Sequence, residues 1–235
     1  MKLSSRLYTI FNMYQGEVAA DVGSDHGKLI ISLFLEHKIK KGYAIENKKG
    51  PYSRLYKEIE TSKLLNNVIP MFSDGISELP NDTDSIIVAG MGGNLIINII
   101  NSHIENLNNV NFIYVDAHNN VPEVRRFICG LGYEIMAEAM VLEKGIYYEI
   151  IGFKKGHQTK MDEFDYLFGP FLRKEKSKIF INKYLDRINE IEHIIEMPNI
   201  PKEKMDALEK EKDILQEVIS WKPPALSQVL RGSQA

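Results

Sequence analysis

One short stretch near the N-terminus constrains the fold more than any other part of the chain. Residues 18–20 form an apolar run typical of a buried parallel strand, and the sequence D-V-G-S-D-H-G at residues 21–27 indicates a turn. Residues 28–35 are apolar and long enough for a helix that packs on a sheet. Strand, glycine turn and helix in this order are typical of the nucleotide-binding corner of an α/β fold.

The spacing within this turn favours S-adenosylmethionine over a dinucleotide. A dinucleotide-binding turn needs G-x-G-x-x-G so that its backbone approaches a pyrophosphate, whereas here the middle glycine position holds Asp25. A carboxylate beside two phosphates would set anion against anion in a poorly solvated pocket. S-adenosylmethionine carries a sulfonium and an ammonium instead. We therefore predict cofactor contacts at Asp21, Gly23, Ser24, Asp25 and His26, although this motif alone leaves a plain glycine turn open.

The ends of three further predicted strands supply the remaining cofactor contacts. Glu46 lies 21 positions after Asp25, close to the roughly 20 residues that separate a glycine turn from a ribose-binding acid. Asp74 follows the third strand, where a carboxylate can meet the adenine amino group or simply form an Asp-Gly turn. Three glycines after the fourth strand indicate close approach of a ligand to the backbone. The predicted contacts are Glu46, Asn47, Asp74, Gly75, Gly90, Met91 and Gly92.

Seven strands and two domains are predicted. The strands cover residues 18–20, 41–47, 68–72, 85–89, 111–115, 133–142 and 146–153, and the last two form a hairpin. This count fits a Rossmann-like class I methyltransferase sheet, mostly parallel, better than a six-stranded dinucleotide domain. We place this α/β domain at residues 1–158, with an amphipathic helix at 1–15 and a helix at 52–65 after a Gly50-Pro51 turn.

The C-terminal region, residues 159–235, has a different composition. Residues 171–196 and 201–221 are charged and heptad-like, which predicts a helical coiled-coil hairpin joined by residues 197–200. Such a hairpin could bind a partner or mediate dimerisation, so the sequence leaves the oligomeric state open, with a monomer slightly favoured.

Composition excludes several classes of protein. The chain has 44% apolar and 26% charged residues, apolar runs far shorter than the roughly 18 residues of a membrane helix, and no signal-peptide core, so a cytoplasmic protein without a membrane partner is expected. The single cysteine, Cys129, permits no intramolecular disulfide, and the six histidines show no H-x-x-x-H pair, so no metal is predicted. A formal charge of −3 does not by itself indicate a nucleic-acid partner.

Taken together, these motifs resemble the bacterial tRNA adenine-N1 methyltransferase family that acts at position 22 (TrmK-like). The resemblance covers nearly the whole chain and is carried by L-S-x-R-L at residues 3–7, D-V-G-S-D-H at 21–26, G-P at 50–51, D-G at 74–75, A-G-M-G-G at 89–93 and F-G-P at 168–170. It implies S-adenosylmethionine as the methyl donor, tRNA as the substrate and a C-terminal coiled coil that helps to hold the tRNA. It also implies that Asp25 is the catalytic acid and Arg6 a catalytic or RNA contact.

The substrate site is less well specified by the sequence. We expect the base near Gly93 and Asn94, and near Asp116 and His118 after the fifth strand. At this last position the family usually shows L-Q-P-N, whereas residues 115–118 here read V-D-A-H, so the family's base-binding role does not transfer directly.

Three other functions remain open from the sequence. The chain could methylate a small molecule or a protein, with the hairpin serving only dimerisation. It could be a nicotinamide-dependent oxidoreductase, which Asp25 disfavours. It could also bind tRNA without transferring a methyl group.

Overall fold

A computed structural model describes residues 2–158 and 160–221, except for the side chain of Asp25. The chain divides into two compact units, with the boundary between Met161 and Asp162. In chain order the first unit contains α1 (Ser5–Met13), β1 (Val18–Val22), a 3-10 turn (Asp25–Gly27), α2 (Lys28–Leu35), β2 (Lys41–Glu46), α3 (Lys49–Thr61), β3 (Val68–Phe72), β4 (Ser85–Met91), α4 (Gly93–Asn101), a second 3-10 turn (Ile104–Leu107), β5 (Phe112–Ala117), α5 (Val121–Gly130), β6 (Tyr133–Glu143) and β7 (Ile146–Lys155).

The seven strands form one sheet in the order β3-β2-β1-β4-β5-β7-β6. The first five strands of the chain pair in parallel, and β7 joins β5 and β6 in antiparallel pairing. The order reverses direction between β1 and β4, and a crevice for ligands lies outside the carboxyl ends of the strands at such a switch point. The predicted fold class is confirmed.

Successive residues of the central strands pack on opposite faces of the sheet. On one face, Ala19 and Ile87 belong to a core that includes apolar side chains of α1, α2 and α3. On the other, Ala20 and Ile86 pack with apolar side chains of α4 and α5. Both faces are therefore covered by helices, which explains why these strands are continuously apolar.

Several predicted boundaries in the first unit were wrong, and two of them concern glycine-containing turns. The helix expected at residue 52 begins at Lys49, so Gly50 and Pro51 lie in its first turn. Proline is tolerated there because the first backbone N–H groups of a helix have no partner within it. The fourth strand continues to Met91, and its register with β5 shifts between Ala89 and Met91. The glycine run therefore begins within a bulged strand end.

The second unit contains four helices among its described residues: α6 (Glu163–Phe168), α7 (Pro170–Glu175), α8 (Lys178–Ile195) and α9 (Lys202–Ser220). The helix predicted over residues 171–196 is interrupted, because Lys176 adopts φ of 49° and ends α7, while the Ser177 hydroxyl caps α8. The α8–α9 hairpin is held by Arg187, whose Nε and Nη2 donate to the Glu211 carboxylate at 2.7 and 3.0 Å.

Within residues 2–158 and 160–221, helices that combine the length and the apolar character needed to cross a membrane do not occur. The same residues contain no group of three or more His, Cys, Asp or Glu side chains placed to hold a metal ion.

Candidate active site

A cavity of about 610 Å³ lies at the carboxyl ends of β1, β2, β3 and β4, beside the switch point of the sheet. Its volume is within the usual range of small-molecule sites. Six of the residues predicted to contact the cofactor meet there, although they come from four separate parts of the chain. The cavity is lined by Val22, Gly23, Ile45, Glu46, Asn47, Lys48, Pro51, Arg54, Ser73, Asp74, Gly75, Met91, Leu95 and Ile99.

Gly23 brings the backbone of the first turn to the edge of this cavity. Its φ is +74°, a left-handed conformation that favours glycine, and a Cβ atom added there would overlap Cε of Met91. The N–H groups of Gly23 and Ser24 both donate to the carbonyl oxygen of Ile45, at 2.9 and 3.2 Å. These bonds fix the turn against the end of β2, so the backbone itself forms part of the cavity wall.

Asp21 supports this turn from inside the protein. Its side chain is buried, and its Oδ2 accepts a hydrogen bond of 2.6 Å from the hydroxyl of Ser24. Burial raises the pKa of Asp21 to about 6, against the smaller lowering effect of the Ser24 hydrogen bond. Two of the predicted cofactor residues thus shape the turn from behind it.

The rest of the turn prepares the start of α2. His26 and Gly27 both have positive φ, 58° and 62°, so the chain reverses sharply after β1. Asp25 belongs to the same 3-10 turn, and its side chain, predicted to act in catalysis, lies outside the described part of the structure.

Two carboxylates of the cavity are positioned by local hydrogen bonds. Glu46 Oε1 accepts from the backbone N–H of Lys48 at 2.9 Å, and Asp74 Oδ1 accepts from Nδ2 of Asn47 at 2.8 Å. A carboxylate can accept several hydrogen bonds, so both retain acceptor capacity.

These hydrogen-bond acceptors and the apolar side chains beside them fit S-adenosylmethionine. Glu46 and Asp74 can accept hydrogen bonds from ribose hydroxyls and from an adenine amino group, while Met91, Leu95 and Ile99 provide apolar contact for a purine. Glycine at position 23 lets the turn lie close to Met91, because any side chain there would overlap it.

A second cluster forms around Arg6 of α1. Arg6 Nη1 donates to Oδ2 of Asp116 at 2.7 Å, and its Nε donates to Oε1 of Glu143 at 3.1 Å. Nη1 also lies 3.2 Å from Nε2 of His118, and the guanidinium carbon lies 4.2 Å from the centre of the Tyr148 ring. Three predicted site residues, Arg6, Asp116 and His118, therefore meet.

Asp116 is the buried member of this cluster. Its side chain is 1% exposed, and its Oδ1 has no hydrogen-bond partner within the described residues. Burial raises the pKa of Asp116, and the nearby Arg6 and His118 oppose that rise. A buried carboxylate with an unused oxygen is costly unless a ligand or a cation compensates it.

The Arg6 cluster and the cavity share a wall. The backbone N–H of His118 donates to the carbonyl oxygen of Met91 at 2.8 Å, and Met91 lines the cavity. Gly90 directly precedes Met91 at the strand bulge; its φ is +77°, and an added Cβ would meet no described atom within 4 Å. This bulge joins the two candidate sites.

The residues just beyond this wall pack tightly. Gly93 is buried, its N–H donates to Oδ1 of Asn119 at 3.0 Å, and a Cβ there would overlap the carbonyl oxygen of Asn119. Asn94 Oδ1 accepts a hydrogen bond of 3.0 Å from Nδ2 of Asn120. A Cβ at Gly92 would lie 3.3 Å from Asn119 Oδ1. These contacts fix the start of α4 against the loop after β5.

Several residues of both sites were missed by sequence reasoning. Glu143 and Tyr148 reach Arg6 from the β6–β7 hairpin, far from it in the chain and without a local motif. Leu95 and Ile99 could have been found, because they lie one helical turn apart directly after the glycine run.

The chain is similar in sequence to one family of tRNA methyltransferases. The model of the tRNA (adenine(22)-N(1))-methyltransferase family matches residues 19–221. The Bacillus subtilis tRNA (adenine(22)-N(1))-methyltransferase is 28% identical over 232 residues, covering 93% of this chain and 98% of that protein.

Solved structures of similar proteins share this fold. A Streptococcus pneumoniae protein described as a tRNA (m1A22) methyltransferase superimposes with a TM-score of 0.87 and 31% identity, covering 93% of this chain and 100% of that one. Its complex with S-adenosyl-L-methionine gives a TM-score of 0.84 at 30% identity, with coverage of 93% and 100%.

Proposed function

The chain belongs to the tRNA (adenine(22)-N(1))-methyltransferase family, and we propose that it uses the cavity and the Arg6 cluster to transfer the methyl group of S-adenosylmethionine to N1 of adenine 22 in tRNA. The resemblance seen in the sequence is confirmed, as are the methyltransferase activity and its cofactor. The observation that carries the assignment of residues is the shared wall at Met91, which joins a cofactor-sized cavity to the Arg6 cluster.

The cavity is the proposed cofactor site. Glu46 would hold the ribose, and Asp74 with Asn47 would hold the adenine amino group. Gly23 would let the backbone of the turn approach the cofactor closely. Asp21 and Ser24 would act through the conformation of that turn rather than by direct contact. When bound, S-adenosylmethionine supplies an electrophilic methyl group on a sulfonium.

The Arg6 cluster is the proposed base site. Arg6 is held by Asp116 and Glu143, so its guanidinium has a fixed orientation. His118 and Tyr148 add ring surfaces beside it, with ring centres 5.5 Å apart. An adenine held here must be unpaired, because N1 lies on the Watson–Crick edge of the base.

The chemistry requires positioning and charge stabilisation more than proton removal. Adenine N1 carries a lone pair at neutral pH and can attack a methyl group directly, so correct alignment supplies much of the rate. The methylated base is a cation. One arginine with two carboxylates gives the cluster a formal charge of −1, which favours the positive charge as it develops.

Asp25 is the second proposed source of negative charge. Its assignment rests on its place in the cofactor turn and on its match to the family motif. His26, next to it, would help to shape the same turn. Gly90 and Gly92 would give the base access past the strand end, with Gly93 and Asn94 fixing the loop behind it.

The helices of the second unit are proposed to contribute to tRNA binding. This role follows from the family resemblance, and a cytoplasmic location follows from the substrate. We propose a monomer as the active species.

Methylation of tRNA tests the proposal. Unmodified total bacterial tRNA is incubated with labelled S-adenosylmethionine and digested to nucleosides. Labelled 1-methyladenosine is expected. Bound cofactor without methylated tRNA would favour a small-molecule substrate or a non-catalytic role.

A further inference from the structure

A groove between α1 and α2 has the features of a second nucleotide site. Its volume is about 480 Å³, within the range of small-ligand sites. It is separate from the cofactor cavity, since the two share no lining residue among the described parts of the chain. The groove is lined by Lys2, Leu3, Tyr8, Phe11, Ser32, Leu35 and Glu36.

Two aromatic rings form one wall of this groove. Tyr8 and Phe11 lie one helical turn apart on α1, and their rings are nearly parallel, with an interplanar angle of 9° and centres 6.2 Å apart. Tyr8 is 56% exposed, so its ring is open to a ligand. Exposed aromatic faces of this kind are used by proteins to stack nucleobases.

A buried hydroxyl also points to a ligand. Ser32 is 7% exposed and lines the groove, yet its Oγ makes no hydrogen bond to any described residue. A buried polar atom without a partner costs free energy, which a polar ligand would recover once the Ser32 side chain rotates its hydroxyl into the groove. The exposed carboxylate of Glu36, also in the lining, can accept from the exocyclic amino group of a base.

Two lysine side chains lie at or beside this groove. Lys2 is part of the lining, and Nζ of Lys38 lies 4.9 Å from the centre of the Phe11 ring. An aromatic face with adjacent lysines is suited to a base together with its phosphate.

We propose that this groove binds a second, unpaired nucleotide of the tRNA substrate, with its base against Tyr8 and its phosphate near Lys2 and Lys38. The proposal rests on the proposed function, because it takes tRNA as the partner. Helix α1 then serves the RNA twice, since it also carries Arg6 of the base site. A nucleotide held in the groove would add affinity for tRNA without touching the methyl group.

Steady-state kinetics with tRNA, together with filter binding, test this site. Tyr8→Ala is expected to raise both KM and Kd for tRNA at least fivefold, because the stacking of a base on an aromatic ring strengthens binding by about fivefold or more. The turnover number and the affinity for S-adenosylmethionine should stay within twofold of wild type. Tyr8→Phe, which keeps the ring, should behave as wild type.

Two substitutions of opposite charge at Leu35, which lines the groove, provide a second, independent test. Leu35 is 51% exposed at the end of α2, so either substitution is tolerated by the fold. Leu35→Glu should weaken tRNA binding and Leu35→Lys should strengthen it. Unchanged tRNA affinity in both Tyr8→Ala and Leu35→Glu would overturn the site while leaving the methyltransferase assignment intact. A wild-type protein that neither binds nor methylates tRNA would overturn both.

Discussion

Arg6 Nη1 lies 2.7 Å from Oδ2 of Asp116 and joins the first helix to the carboxyl end of the fifth strand. The two residues are 110 positions apart in the chain, and the bond places the start of α1 beside the wall of the cofactor cavity. The helix therefore contributes to the proposed base site as well as to the core.

Loss of Arg6 should destabilise the protein through Asp116. Arg6→Ala leaves a carboxylate that is 1% exposed without its cation, and removing one partner of a buried pair costs roughly 3–5 kcal/mol. Arg6 itself is 21% exposed, so we expect a smaller loss of about 2 kcal/mol in the free energy of unfolding, measured in urea. The double variant Arg6→Ala/Asp116→Ala should be more stable than Arg6→Ala. Simple addition of the two single losses would show that the pair does not couple.

Asp21 should make stability depend on pH. Burial raises its pKa in the folded protein to about 6 from its ordinary value of 3.8. Between about pH 4 and pH 6 the folded state binds more protons than the unfolded state. The free energy of unfolding therefore falls as the pH rises through this window. A shift of this size corresponds to roughly 3 kcal/mol. The stability of wild type relative to Asp21→Asn should decline across that window and level off above it. A constant difference would contradict the assignment.

Gly23 should be required for cofactor binding beyond its backbone conformation. Gly23→Ala and Gly145→Ala both place a Cβ at positive φ, +74° and +79°, which costs about 1–2 kcal/mol of stability each. Only the first introduces an atom that overlaps Met91. We expect Gly23→Ala to weaken S-adenosylmethionine binding at least tenfold by calorimetry, with Gly145→Ala unchanged. Equal affinities in the two variants would remove Gly23 from the site.

Asp25 should matter more for turnover than for cofactor binding. If its carboxylate stabilises the cationic product, Asp25→Ala will lower kcat by two orders of magnitude or more, on the order of 3 kcal/mol of transition-state stabilisation. The Kd for S-adenosylmethionine should change only a few-fold. Losses of similar size in both quantities would make Asp25 a binding residue.

The sequence predicts the proposed cofactor side of the site better than the proposed base side. Gly23, Glu46 and Asp74 each follow a strand of a parallel sheet, and the carboxyl ends of such strands meet at one edge. Position along the chain was therefore enough to bring them together. The bulge at Gly90, which extends β4 to Met91, depends on pairing with β5 and leaves no comparable signal.

The base side depends on contacts between distant segments. The family resemblance predicts Arg6, but its partner Glu143 comes from an antiparallel hairpin whose register sets which side chains face α1. Alternation along β6 predicts a face and not a partner. The break at Lys176 was missed for a similar reason, because charged heptads continue across it and only the local backbone conformation ends the helix.

Methylation of two tRNA transcripts that differ only at position 22 tests the central claim most directly. With A22, labelled S-adenosylmethionine should give 1-methyladenosine in proportion to tRNA, and primer extension should stop at that nucleotide. With G22, no label should be incorporated above background. Equal methylation of both transcripts, or none of either while the cofactor binds, would contradict the account.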